Sequence, residues 1–166
     1  MCSPRSSNSP DPAFERTLAA AQGYFLLEMW NDAWNELEEL APETRHLSQV
    51  IILRVLILNN LGKWEDAATI GNGALRYYAD FGALYLATAH ALRNCKGAAE
   101  AKVVLVAGEP FLEDEAVFHY MLACYDCALG NLHDAIDGLT RAFELEKCLR
   151  MKALDEPELA PVWDSL

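Results

Sequence analysis

The sequence predicts an all-α solenoid of helix-turn-helix repeats closed by a C-terminal capping helix. Ala33, Ala67, Ala101 and Ala135 recur at a strict interval of 34 residues. The residue before each is acidic: Asp32, Asp66, Glu100 and Asp134. A register held without insertion or deletion marks a repeat array and not one undivided core. Thirty-four residues accommodate two helices of about four turns with two short turns. The dipeptides of tight β-hairpins are missing, and apolar residues recur at helical spacing, as in Ile51, Val55, Leu58 and in Leu122, Tyr125, Leu129.

In chain order, residues 1–13 are rich in Ser and Pro and have no apolar segment, so they read as a disordered tail and not a secretory signal. Four units follow, over residues 14–47, 48–81, 82–115 and 116–149. Their expected helices lie near 14–28 and 31–41, 44–61 and 64–78, 81–95 and 98–108, 113–129 and 132–150. Two corners are explicit: Leu61-Gly62-Lys63-Trp64 and Leu129-Gly130-Asn131-Leu132. Glycine there ends one helix with positive φ, and the acidic residue before each alanine suits the positive end of the next helix dipole. The alanine lets the two helices approach closely. Glu28 replaces the glycine in the first unit, and Lys96 replaces it in the third, with Gly97 displaced by one.

Pro42 and Pro110 come nine residues after Ala33 and Ala101, so the second helices of units one and three should end early and leave wider joints. Gly71 and Gly73 fall inside a second helix, as a close packing site or a local weakness. Residues 150–166 read as a cap over the apolar end of the array, with Trp163 as its main anchor; the rival reading is an exposed docking peptide.

The pattern resembles the tetratricopeptide repeat family. The last unit carries it most fully, as Leu122-Ala123, Gly130, Leu132, Ala135, Leu139 and Ala142, and the likeness spans Phe14 to Leu149. Arg54 and Asp126 depart from it, standing where the family buries apolar side chains. The resemblance implies a right-handed solenoid whose first helices line a concave, ligand-binding surface. Carried over by register, that lining is Leu18, Gln22 and Phe25 in unit one and Gln49, Ile52, Leu56 and Asn59 in unit two. Unit three contributes Leu86, His90 and Arg93, and unit four Val117, Tyr120, Cys124 and Cys127. Leu18, Ala83 and Ala87 occupy the places of the family's basic carboxylate clamp, so chaperone C-terminal peptides are not the expected ligand. An apolar-centred groove suits an extended or helical peptide, with Gln22 and Asn59 gripping its backbone.

A net charge of −12 argues against nucleic acid and anionic membrane as partners, since both select basic surfaces. It serves solubility, and it is compatible with a basic or amphipathic protein ligand. No apolar run reaches the ~18 residues needed to span a bilayer; the greasiest, Val50 to Leu58, is interrupted by Arg54. A cytoplasmic protein is expected, with its five cysteines as free thiols.

Cys124 and Cys127 form a C-x-x-C, and His90 lies one period before Cys124. That invites a metal reading, but the pair sits in mid-helix and a tetrahedral site wants four ligands. Packing of small apolar side chains is the preferred account, with no metal and no cofactor. His46, His90, His119 and His133 belong to no nucleophile or zinc motif. Glu38-Glu39 and Glu113-Asp114-Glu115 read as solvated charge. Nothing in the pattern supports an enzyme. The expected function is a peptide- or protein-binding scaffold; the alternatives are a self-associating module and a small secretion-type chaperone.

Overall fold

The computed structural model describes residues 11–165, so residues 1–10 of the expected tail and Cys2 lie outside it. The chain is all-helical, with no strand among the described residues. Its helices are α1 (Pro12–Leu26), α2 (Trp30–Glu38), α3 (Ser48–Asn60), α4 (Trp64–Ala74), α5 (Gly82–Cys95), α6 (Ala98–Ala107), α7 (Ala116–Ala128), α8 (Leu132–Leu145) and α9 (Leu149–Leu154). They form successive hairpins: α1 with α2, α3 with α4, α5 with α6, α7 with α8. Odd-numbered helices also touch the preceding even-numbered helix, which stacks the hairpins into a solenoid. Helix α1 begins two residues before its expected start, because the Asp11 side chain accepts the Ala13 amide at 3.0 Å and Pro12 needs no donor partner.

The periodic residues are the contact residues. Ala33, Ala67, Ala101 and Ala135 are fully buried, as are Leu37, Leu105 and Leu139 four positions on. At the remaining copy, Gly71, a Cβ would stand 2.1 Å from Thr88 Oγ1, so Gly71 is a close-packing site. Helix α3 explains the greasy run Val50 to Leu58. Its Val50, Leu53 and Ile57 pack with α1 and α2, whereas Val55 and Leu58 join the larger core that runs to the C-terminus. A helix buried on two sides has no wet stripe to display.

The corners repeat with the same period. Glu28, Gly62 and Gly130 have φ of 59°, 70° and 82°. In each, the next amide reaches back to close the helix end: Met29 to Tyr24 O, Lys63 to Leu58 O and Asn131 to Asp126 O, all at 2.9 Å. In the third corner the positive φ moves to Gly97, at 111°, because Lys96 stays at negative φ.

Where the helices differ from expectation, the causes are local. Pro42 and Pro110 open single 3-10 turns, Pro42–Thr44 and Glu109–Phe111, after an early end of α2 and α6. Across both, consecutive first helices pack loosely, α1 against α3 and α5 against α7, whereas α3 and α5 pack closely. Helix α4 stops at Ala74, four residues short, with Gly71 and Gly73 weakening its last turn. Helix α8 stops at Leu145, where Glu146 turns extended and starts a separate C-terminal strap of α9 and a 3-10 segment over Pro157–Ser165.

The two sequence departures are ion pairs between hairpins. Arg54 of α3 donates to Glu38 at 2.7 Å and lies 5.0 Å over the Trp34 ring of α2. Lys102 of α6 meets Asp126 of α7 at 2.5 Å, and Asn131 donates to the same carboxylate oxygen at 2.9 Å. Both charges are paired, so neither breaks the stack, and Arg54 Nε is the one buried polar atom of the two side chains left without a partner among the described residues.

Three substitutions test this account. Ala67→Leu and Ala135→Leu should each lower stability by about 1–3 kcal/mol in denaturant melts, since no space exists for the larger side chain. Glu28→Gly should raise stability by about 1 kcal/mol, because it removes a left-handed residue with a Cβ. A melt unchanged by Glu28→Gly would show that this corner carries no strain.

Candidate concave binding face

The first helices bring most of the expected groove residues to one face, but not to one state. Gln22 and Gln49 are exposed, and Phe25, Ile52 and Leu56 are half-buried. With Leu26, Ser48, Leu53 and Phe81 they line an open cleft of about 400 Å³ between α1 and α3. Phe25 is held by an edge-on contact with Trp30, centroids 5.0 Å apart. Among the described residues, no charged side chain lines it. Leu86 is half-buried, His90 and Val117 are exposed, and Arg93 is half-buried.

Five expected lining residues are instead buried. Leu18 lies in the N-terminal core. Asn59 donates its side-chain amide to Ala87 O at 2.9 Å, so it ties α3 to α5 and is not free to grip a ligand backbone. Tyr120, Cys124 and Cys127, expected to face an open groove, are covered. Over Tyr120 and Cys124 the cover is the strap. Lys152 Nζ lies 5.2 Å over the Tyr120 ring, and Glu158 pairs with Arg93. Lys152, Glu156 and Glu158 thus wall a second cleft, of about 330 Å³, with His90, Arg93, Tyr120 and Cys124. The strap was legible as a cap, but its anchor was not Trp163. Leu159 and Val162 are the fully buried side chains, whereas Trp163 is 38% exposed and donates to Ala153 O at 2.9 Å.

The electrostatics follow from this covering. Burial, with the neighbouring Glu156 and Glu158 charges, pushes the Cys124 thiol from an ordinary 9.0 up to about 12. Cys127 moves the same way, for burial first and Glu158 second. Burial likewise raises Tyr120 and Tyr125. The hydroxyls of both tyrosines and the Arg93 Nε find no hydrogen-bond partner among the described residues. A thiol held protonated is a poor nucleophile and a poor metal ligand. Among the described residues, no three His, Cys, Asp or Glu side chains converge as a metal site, and no helix is long and apolar enough to cross a membrane.

Stacked helical hairpins with an open apolar cleft on the inner face define a helical-repeat solenoid protein. Solved structures with this fold include the MamA 41-end fragment from Desulfovibrio magneticus RS-1 and a MamA RS-1 ArsTM double mutant. Each is similar to this chain with a TM-score of 0.73 at 16% identity, over 94% of this chain and 92% of that one. At that identity the likeness concerns the fold. No protein-family model and no curated protein sequence matches the chain.

The Cys124 shift has a sign that can be checked. The folded state holds the proton more tightly than the unfolded chain, so its contribution is intact below pH 9 and is lost as pH climbs toward 12. In native alkylation followed by mass mapping, the exposed Cys148 should label at pH 8 while Cys124 stays protected until unfolding or strongly alkaline pH. Rapid native labelling of Cys124 at pH 8 would contradict the covering by the strap.

Proposed function

We propose that this chain is a non-catalytic scaffold of four tandem 34-residue units, and that it binds a protein or peptide on its concave face. The observation that carries the reading is the open cleft between α1 and α3, where half-buried Phe25, Ile52 and Leu56 share an uncharged lining with Gln22 and Gln49. Apolar surface left exposed in a groove is costly unless something covers it. The exposed glutamines offer neutral donors and acceptors to a ligand backbone, and the apolar floor takes its side chains. The ligand is an extended or helical segment whose apolar face enters the groove; basic residues outside the groove would meet the −12 net charge. Nucleic acid is disfavoured by the same charge. The soluble cytoplasm suits a chain with this many free thiols.

Partner capture from source-cell extract, with wild type and Ile52→Ser compared, tests the reading. Ile52→Ser should reduce capture about 10-fold or more while costing at most about 2 kcal/mol of stability, because Ile52 is only partly buried. The retained partner should survive moderate salt, since an apolar contact is not screened. Undiminished capture by a folded Ile52→Ser protein would move the working surface elsewhere.

A further inference from the structure

We propose that the concave face carries two copies of one cleft, and that the open N-terminal copy takes an uncharged aliphatic segment of another protein, in the place that the chain's own strap occupies in the C-terminal copy. This rests on the reading of the concave face as a protein-binding surface and adds the chemistry of the occupant.

The duplication is positional. Seven of the eight α1 and α3 residues that line the open cleft have a counterpart 68 residues on, two periods later, in the lining of the second cleft. Gln22 corresponds to His90, Phe25 to Arg93, Ile52 to Tyr120 and Leu56 to Cys124. The cause is duplicated as well. Pro42 and Pro110 are also 68 residues apart, and each shortens the helix before its cleft, so that the flanking first helices stand apart.

The two copies differ in what lies across them. Over the C-terminal copy runs the strap segment 152–158, two of whose charges meet partners in the walls. Glu158 meets Arg93, and Lys152 meets the Tyr120 ring. Over the N-terminal copy, Phe81 is the only one of the described residues from outside α1 and α3 in the lining. Its walls have lost every group that receives the strap's charges. Phe25 stands where Arg93 would accept a glutamate, Ile52 where Tyr120 would face an ammonium, and Leu56 where Cys124 stands. A segment with the strap's charges would strip them of water here with nothing in return. An uncharged one gains apolar contact with Phe25, Ile52 and Leu56, and hydrogen bonds for its backbone from Gln22 and Gln49. The same argument excludes the strap of a second copy as occupant. Its Leu159 and Val162 are moreover already buried in its own chain.

The test uses the full chain and two fluorescein-labelled peptides covering residues 149–163. One has the native sequence; in the other, Lys152, Glu156 and Glu158 are each replaced by leucine, Arg150 by glutamine and Asp155 by asparagine, so that no charged side chain remains. Anisotropy titration should show the uncharged peptide binding at least ~10-fold more tightly than the native one. Phe25→Arg should reverse that preference, and Ile52→Tyr, a milder change, should shift it in the same direction. Equal affinities, no binding of the uncharged peptide, or a preference unmoved by both variants would overturn the proposal. Tighter binding of the native peptide to the wild-type chain would overturn it in favour of docking between copies. The two readings fail separately. If Ile52→Ser abolishes partner capture but the peptides are not discriminated, only the occupant's chemistry is wrong. If the peptides behave as stated while capture is untouched, the scaffold reading is wrong.

Discussion

The stack depends on how closely two helices approach at one repeated position. A side chain that ends at Cβ sits there in every hairpin, fully buried at Ala33, Ala67, Ala101 and Ala135. Close approach brings the leucines at Leu37, Leu105 and Leu139 into the seam, where they are dehydrated completely. Where the leucine gives way to Gly71, Thr88 from α5 comes in to fill the space, and the seam stays closed. Each hairpin alone would leave a wet apolar face, so each is stable because a neighbour or the strap covers it.

Much of this was legible in the residues, for physical reasons. Helix period, the buried alanine and the left-handed corner are local properties, and local properties repeat when the sequence repeats. Even the irregular corner at Glu28 obeyed the register and took the conformation of the glycines, at φ 59°. Proline positions announced the loose joints, because proline removes a donor and clashes with the preceding turn wherever it stands. Arg54 and Asp126 looked like faults in the pattern because their partners, Glu38 and Lys102, come from the preceding hairpin and carry no mark of the pairing in the sequence.

The concave face was legible only as far as it depended on register. Counting positions placed Gln22, Phe25, Ile52 and Leu56 around a common cleft. It could not show that Asn59 spends its amide on Ala87, which is 28 residues away in sequence. It could not foresee the return of the strap beside Tyr120 and Cys124. Trp163 drew attention by size, yet the smaller Leu159 and Val162 do the burying. The signal for them was weak but present: an aliphatic pair three residues apart on a helical turn, with Trp163 beside it.

The alternation of loose and close joints gives the molecule a mechanical character. Between α3 and α5 the seam is tight and pinned by the Asn59 amide, so the middle of the solenoid resists bending. The two proline-shortened joints on either side are where the rod would flex. The C-terminal one is splinted: Glu158 on the strap is fastened to Arg93 on α5, while Leu159 is buried with the rest of the C-terminal core. Among the described residues the N-terminal joint has no such splint, and it carries an apolar inner wall. Compliance is therefore concentrated at one end of the stack, at the joint between the first hairpin and the second.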